Sequence, residues 1–446
     1  MRKIAVRAVV FLIMMSAIFC GGLAYCKDKP EWTLKRYAVQ TFYKAGTPHT
    51  DRSGKYLDAY NKRSSFFPIV MYHASYTDRG NGITGLADLV SAGFNTAYLC
   101  WGDDPVVGEP IARKTGMQLV VQYPLNDQIR ALKDSPTLLA WYLNEEPAMN
   151  LGTPKIAEEF EYFQRRYKEI KAIDPNHPVL AVDGAWTIGS PEGREWWIKW
   201  NTAGDVSCHD NYPIRPDDAK TLSSSVGIPE SVSLAVSANQ QKKPVWLCVQ
   251  AHCYLDPTWP CSQPTVAQQR CMVYAAIIHG ATGIMYFGMD ADTLRNGGCI
   301  GIAPDPKPVY AIQKKEAVSA TPLQLQRSKD LWNQVVAINK QIALLRPSIL
   351  SPTANMHYDV YTNANLPSVS TNPIRTLLKT DPSGGYNLLL ANIDATEQHV
   401  KIRFPGSKIT IKELFGSSRQ VKRTKTDFEL YCNGYDVRIF HISINK

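Results

Sequence analysis

The sequence contains no CxxC pair, no HExxH motif and no run of five basic residues in its 446 positions. These absences remove the usual spacings of zinc ligands and the basic tracts that bind nucleic acid. The ten cysteines are too few and too scattered for a disulfide-stapled scaffold. Hydrophobic residues make up 44% and charged residues 20%, which is the balance of an ordinary globular protein. We therefore expect a globular protein with no nucleic-acid partner, and no metal or other cofactor is implied.

A short N-terminal segment has the pattern of a signal peptide. Three basic residues among the first seven precede an apolar run at 8–19, and small residues lead to a cleavage site after Ala24. The run is short for a bilayer span, so an uncleaved anchor is the alternative. Cleavage would remove three positive charges from the formal net charge of +9 and leave +6. We expect export of the chain to the periplasm or the extracellular space, with residues 1–24 as the signal peptide.

Cys26 offers a second alternative for this region. Leu23-Ala24-Tyr25 precedes it, which is a poor match to a lipoprotein signal because Tyr25 is bulky. Membrane contact would then be confined to the signal peptide or to a lipid on Cys26. A structural envelope protein tethered at Cys26 is accordingly one rival to an enzyme, and the sequence does not specify an oligomeric state.

The length exceeds the ~300 residues at which a single core stops growing, so we expect more than one domain. After a polar lead-in at 25–65, β-branched and aromatic runs alternate with helical patterns eight times across residues 66–346. The predicted strands cover residues 66–72, 94–101, 117–123, 138–143, 179–183, 205–212, 245–251 and 283–289. Eight such units in about 280 residues predict a (β/α)8 TIM barrel, which we favour over a doubly wound sheet.

The pattern changes after residue 346. Pro, Ser, Thr and Asn cluster as far as Pro373, and short alternating segments follow, separated by turns such as the one at 382–385. The segments cover residues 375–379, 386–392, 400–404, 409–414 and 437–444. Residues 347–446 are therefore predicted to form a small all-β sandwich domain behind an α/β barrel.

Active sites of such barrels lie at the carboxyl ends of the strands. This rim is acidic, aromatic and rich in amides, with almost no Lys or Arg, which argues against a phosphorylated substrate. Aromatic faces and amides suit a carbohydrate, and glycoside hydrolysis requires two carboxylates across the bond that breaks. The candidate substrate-binding residues are Tyr72, Trp101, Asn144, Tyr212, Gln250, His252 and Trp259.

Side chains alternate along a strand, so the fourth predicted strand directs one of two consecutive glutamates into the pocket. Its small and polar face carries Asn144 and Glu146, whereas its apolar face carries Glu145. We therefore expect Glu146 to point into the barrel mouth and Glu145 to point away. The same argument on the seventh strand directs Gln250 and His252 into the pocket.

Residues 141–147, Trp-Tyr-Leu-Asn-Glu-Glu-Pro, resemble the fourth-strand motif of clan A glycoside hydrolases, in which Asn-Glu-Pro or Asp-Glu-Pro supplies the acid/base glutamate. Segments at 67–72, 92–96, 210–213 and 280–288 resemble other parts of these barrels in the same order. The segment at 434–439 resembles the last strand of their accessory β domain, so the resemblance covers roughly residues 60–446. It implies a glycosidase acting on a poly- or oligosaccharide, with Glu146 as the proton donor.

The sequence departs from that family in two places. Residues 249–252 carry no carboxylate where the family has a nucleophilic Glu, and Glu145 stands where the family has Asn. Asp210 as the partner of Glu146, about 10 Å away at ~4.8 Å per strand, would favour inversion. Asp183 on the neighbouring strand, at ~5 Å, would favour a nucleophile. The third interpretation is a degenerate barrel that binds carbohydrate without hydrolysing it.

Overall fold

The computed structural model describes residues 34–99, 102–216, 222–255, 262–288, 298–307, 310–313, 316–363, 372–416 and 421–445. The predicted signal peptide and Cys26 lie outside these residues. Within the described ranges, no helix has both the length and the apolar composition needed to cross a bilayer.

Eight parallel strands close into a barrel. They are β1 (Ile69–Ala74), β2 (Thr96–Leu99), β3 (Gln118–Gln122), β4 (Leu138–Glu145), β5 (Val179–Gly184), β6 (Ser207–Asn211), β7 (Val245–Gln250) and β8 (Gly283–Phe287). The ring closes where β8 pairs with β1, with Ile284 opposite Ile69. The eight predicted strands and the TIM barrel are confirmed, and closure excludes the open doubly wound sheet.

One helix follows each barrel strand. The helices are α1 (Leu86–Ser91), α2 (Pro105–Thr115), α3 (Asn126–Leu132), α4 (Lys155–Ile173), α5 (Pro191–Ala203), α6 (Ile228–Ala238), α7 (Val266–Ile278) and α8 (Pro322–Ile349). Local sequence sets several of their ends: Thr265 and Thr321 form capping boxes, and α2 stops at Gly116 with φ 77°.

The barrel strands separate two apolar layers. Ala140 and Tyr142 of β4 belong to the core inside the barrel. Trp141 and Leu143, which alternate with them, belong to the core between the strands and the helices. The regular part of β4 therefore follows the predicted alternation.

The C-terminal region is built from two antiparallel sheets. Its strands are β9 (Asp359–Asn363), β10 (Ile374–Thr380), β11 (Tyr386–Asn392), β12 (Gln398–Arg403), β13 (Lys408–Leu414), β14 (Lys422–Arg423), β15 (Asp427–Cys432) and β16 (Val437–Asn445). One sheet has the order β10-β11-β16-β13, and the other contains β9-β12-β15-β14. Side chains from both sheets share one core, so the predicted sandwich is confirmed, although β9, β14 and β15 were not predicted.

The lead-in is more structured than its sequence pattern indicated. Leu34–Tyr37 pairs with β9 as an edge strand of the C-terminal sheet, and His49–Thr50 pairs with Tyr56–Leu57. Such short strands carry little periodic signal, because only their partner strand defines them. The sandwich docks on the barrel through α7, where the Arg270 guanidinium donates to the Val437 carbonyl at 2.5 Å.

Candidate active site

A bulge at the end of β4 decides which side chains reach the barrel mouth. Tyr142 pairs with Leu180 but Glu145 pairs with Val182, so β4 advances by three residues while β5 advances by two. The extra residue re-aims the strand. Glu145 consequently turns inward, where the Tyr72 hydroxyl donates to its Oε1 at 2.6 Å. The prediction that Glu145 points away from the pocket is wrong, because alternation holds only along an unbroken strand.

Glu146 also reaches the mouth, through an unusual backbone conformation. Its φ of 44° lies in the left-handed region that side chains disfavour, and its N–H donates to the Val182 carbonyl at 2.7 Å. A 3₁₀ turn, Pro147–Asn150, begins directly after it. His73 (φ 59°) and Tyr123 (φ 43°), at the ends of β1 and β3, share this conformation. Strained residues of this kind cluster at functional sites.

The carboxyl groups of Glu146 and Asp210 share a hydrogen bond, which requires that one of them carries a proton. Burial raises the pKa of both groups, and the charge of Glu146 raises the pKa of Asp210 further, well above its ordinary value. The pair therefore holds one proton, which the two carboxyls share across the hydrogen bond. The expected separation of about 10 Å is wrong, because strand spacing alone neglects the convergence of side chains towards the barrel axis.

Asp183 lies near the end of β5 and is 1% exposed. Its Oδ1 accepts the backbone N–H groups of Ala148 and Gly184, each at 2.9 Å, which fastens the turn that follows Glu146. Burial, with a smaller contribution from the charge of Glu146, raises the pKa of Asp183 to about 7. Its Oδ2 has no hydrogen-bond partner among the described residues, and a catalytic role for Asp183 stays a prediction.

Glu145 is the carboxylate that sequence reasoning missed. Besides the bond from Tyr72, Glu145 accepts a hydrogen bond from Gln122, whose Nε2 lies 3.1 Å from Oε2. Burial raises the pKa of Glu145, while these two hydrogen bonds oppose the rise by stabilising the ionised form. The Tyr72 hydroxyl also lies 3.1 Å from that of Tyr142. The consecutive glutamates were the visible signal, but only the bulge makes both of them face inward.

Tyr212 and His252, which follow β6 and β7, form an aromatic wall of the mouth. Their ring centroids lie 4.8 Å apart and edge to face, and Phe287 packs within 5.6 Å and 4.6 Å of them respectively. Burial lowers the pKa of His252 to about 3, so its imidazole is neutral at physiological pH. Substrate contact by Tyr212 and His252 stays a prediction.

Gln250 has a different role from the predicted one. Its side chain is fully buried, and its Oε1 accepts the Ile214 N–H at 2.9 Å. Its Nε2 faces the carbonyls of Ile214, His252 and Ser262 at 3.3, 3.1 and 2.9 Å. Because loop backbone occupies both ends of the amide, Gln250 ties the loops after β6 and β7 together rather than presenting donors to a ligand.

Several polar atoms around the mouth are buried without a hydrogen-bond partner among the described residues. They include His73 Nε2, Asn144 Oδ1 and Asp183 Oδ2. Buried polar groups are nearly always paired, so such a concentration is typical of a site that binds a ligand. Substrate contact by Asn144 remains a prediction, and Trp101 and Trp259 lie outside the described residues. The described ranges contain no group of His, Cys, Asp and Glu arranged to hold a metal ion.

The loop after β1 contains a glycine spacing that sequence reasoning overlooked. Residues 80–85 read Gly-Asn-Gly-Ile-Thr-Gly, the spacing of a dinucleotide-binding fingerprint. Here the loop is covered by its own chain: a Cβ on Gly82 would lie 3.0 Å from Pro304 and 3.1 Å from Asp305. The helix that follows has six residues and belongs to a closed barrel. A dinucleotide-binding fingerprint instead opens a helix of an open, doubly wound sheet, so the spacing does not indicate a nucleotide site here.

Fold and site together define a (β/α)8 barrel with four carboxylates at its mouth. Neither a protein-family model nor a curated protein matches the chain. Among solved structures, it is similar to an Anoxybacillus alpha-amylase, with 10% identity and a TM-score of 0.48, covering 85% of this chain and 98% of that one.

Two further structures are similar in the same way. A family 5 glycoside hydrolase from Bacteroides vulgatus has 13% identity and a TM-score of 0.46, with 91% and 95% of the two chains covered. A family 30 endoxylanase from Clostridium papyrosolvens has 9% identity and a TM-score of 0.43, with 90% and 98% covered. Because these identities and TM-scores are low, the assignment of the barrel rests on the strand order and register of this chain itself.

Proposed function

We propose that this protein is a glycoside hydrolase that acts on a poly- or oligosaccharide. The observation that carries the proposal is the hydrogen bond between the carboxyls of Glu146 and Asp210 in an acidic, aromatic barrel mouth. A general acid must be protonated at the working pH, and burial next to a like charge is what keeps a carboxyl protonated near neutrality.

Glu146 is the member of the pair that contacts the leaving oxygen, because it is partly exposed whereas Asp210 is 3% exposed. The shared proton passes from Glu146 to the glycosidic oxygen as the bond from that oxygen to the anomeric carbon breaks, which leaves both carboxyls ionised. The pair then takes up a proton from solvent before the next turnover. Such an arrangement titrates as a pair, so the proton belongs to both groups.

Glu145 is the second carboxylate of the reaction. The donors on Tyr72 and Gln122 favour its ionised form, which suits a group facing the positive charge that develops at the anomeric carbon. It acts there as a base towards water or as a nucleophile. Glu145 thereby takes the role that sequence analysis assigned to Asp210 or Asp183, and Asp183 instead positions Glu146.

A barrel that binds carbohydrate without turnover is the second candidate. It is favoured by the end of β7, where residues 249–252 carry no carboxylate. Both candidates use the same mouth and the same class of ligand.

Product analysis separates the two candidates. The purified chain is incubated with glucans, xylans and mannans of both anomeric linkages, and released oligosaccharides are quantified by chromatography. The hydrolase predicts new reducing ends that Glu146→Gln abolishes and that Glu195→Gln, a change on an exposed side chain of α5, leaves intact. Affinity for one of these polymers without any product would support the binding protein instead.

Export belongs to the same proposal and is supported by the basic and apolar pattern of residues 1–24. N-terminal sequencing of the mature protein should begin near residue 25. A lipid on Cys26 would instead make the protein partition into detergent, and Cys26→Ala would abolish that partitioning. A mature protein whose first residue is Met1 would contradict cleavage of the signal peptide.

A further inference from the structure

We infer that a cavity beside the carboxylates, between the ends of β2 and β3, is a binding subsite for an additional neutral sugar ring. The inference rests on the proposed function, because it assigns the cavity to the same substrate. The cavity has a volume of about 450 Å³, within the range of small-molecule sites. Its lining residues include Leu99, Asp103, Gln122, Tyr123, Leu125 and Gln128.

Tyr123 provides the flat apolar surface of this subsite. The residue is 49% exposed although it lines a concave site, and its ring lies nearly parallel to that of Tyr142, with 19° between planes and 6.3 Å between centroids. Its φ of 43° is the strained conformation that lets the strand end turn and present the ring. Leu125, 67% exposed, extends the apolar surface. An exposed aromatic ring in a cleft is the surface on which the C–H face of a sugar packs.

Polar groups on the other walls suit sugar hydroxyls. Asp103 is 13% exposed at its side chain, and its Oδ2 has no hydrogen-bond partner among the described residues, the nearest cation being Arg79 at 4.0 Å. Gln128 also lines the cavity, and its Oε1 accepts the Leu125 N–H at 3.0 Å. The lining residues that the structure describes include no Lys or Arg, so the subsite matches an uncharged sugar rather than an acidic one.

Gln122 connects the subsite to the reaction centre. Its side chain lines the cavity, while its Nε2 donates to Glu145 Oε2 at 3.1 Å. Gln122 alone therefore separates a sugar ring in the cavity from Glu145, the carboxylate that faces the anomeric carbon. It follows that the preferred ligand spans both places and has at least two sugar units.

The test is the chain-length dependence of binding. Calorimetric titration of the Glu146→Gln protein, which keeps its ligand intact, uses gluco-, xylo- and manno-oligosaccharides of one to six units as probes. Affinity for the accepted series should rise between one unit and the longer members. In the same background, Tyr123→Ala should lower the affinity for the longer members about tenfold or more. The affinity for the single sugar unit should stay unchanged. The control is Tyr162→Ala, a tyrosine of α4 that is 47% exposed.

Each outcome bears on one proposal. Affinity that does not depend on length, or an equal loss on all probes in Tyr123→Ala, overturns the subsite even if the wild-type protein hydrolyses the panel. Length-dependent binding that is sensitive to Tyr123, in a protein that releases no product, supports the subsite and overturns the hydrolase. Leu125→Ser supplies a second variant at an exposed position, and it should show the same selective loss.

Discussion

Asp183 allows the buried carboxylate cluster to be tested by stability alone, without a substrate. In Asp183→Asn the amide oxygen can still accept the N–H groups of Ala148 and Gly184, which occupy a single oxygen of the carboxylate. The substitution therefore removes the ionisable group and leaves its two backbone contacts in place. What changes is the free energy needed to keep a charge in that position.

The magnitude follows from the pKa of Asp183, which is raised from an ordinary value of 3.8 to about 7. Below pH 3.8 the carboxyl is neutral in both the folded and the unfolded state. Between 3.8 and 7 it is ionised only in the unfolded state, so folding takes up a proton and stability falls as the pH rises. About three pKa units at ~1.4 kcal/mol each amount to a penalty of ~4 kcal/mol, which is fully present above pH 7.

The assay is urea unfolding of the wild type and Asp183→Asn at several pH values from 4.5 to 8. Relative to the wild type, the variant should gain free energy of unfolding as the pH rises, by ~3 to 4 kcal/mol across the window. Any cost of the unpaired amide N–H is the same at every pH and does not alter this slope. Asp127→Asn, on a fully exposed side chain of α3, controls for the loss of a carboxylate. A difference that stays flat with pH would refute the buried, proton-holding Asp183.

Three further changes have defined outcomes. Tyr72→Phe removes a donor that favours the ionised form of Glu145, so the acidic limb of the pH profile of kcat/KM should move to higher pH; an unmoved limb would separate Tyr72 from the reaction. Glu413→Ala leaves the Arg438 guanidinium, 1% exposed, without its bidentate partner, and urea unfolding should show a loss of ~3–5 kcal/mol; a loss below ~1 kcal/mol would contradict this. Gly184→Ala places a Cβ 1.7 Å from the indole two residues on, so tryptophan emission should shift and stability should fall by ~1–3 kcal/mol, whereas an unchanged spectrum would oppose the contact.

The fold followed from periodicity because barrel strands are buried on both faces and helices on one. Runs such as Val245–Gln250 and the amphipathic pattern of Lys155–Ile173 carry that signal in their own residues. The edge strand Leu34–Tyr37 carries no comparable signal, since its placement depends on Asp359–Asn363, more than 300 positions away. Elements defined by their own burial pattern were therefore predictable, and elements defined by a partner were not.

The candidate site was predictable in composition but not in geometry. Barrel topology placed Glu146, Asp183 and Asp210 at one end, as the order of strands required. The bulge before Glu145 and the left-handed backbone of Glu146 depend on the local fit between β4 and β5, which no residue pattern encodes. Gln250 was misjudged for a related reason, since its partners are backbone atoms of loops.

The most direct test of the central claim compares two leaving groups in Glu146→Gln. A natural oligosaccharide needs a proton on its departing oxygen, whereas a dinitrophenyl glycoside of the same sugar does not. If the pair of Glu146 and Asp210 is the general acid, kcat/KM on the oligosaccharide should fall by about 10²–10⁴ and that on the aryl glycoside by much less. Equal losses on both substrates, or no loss on the oligosaccharide in a folded variant, would contradict the account.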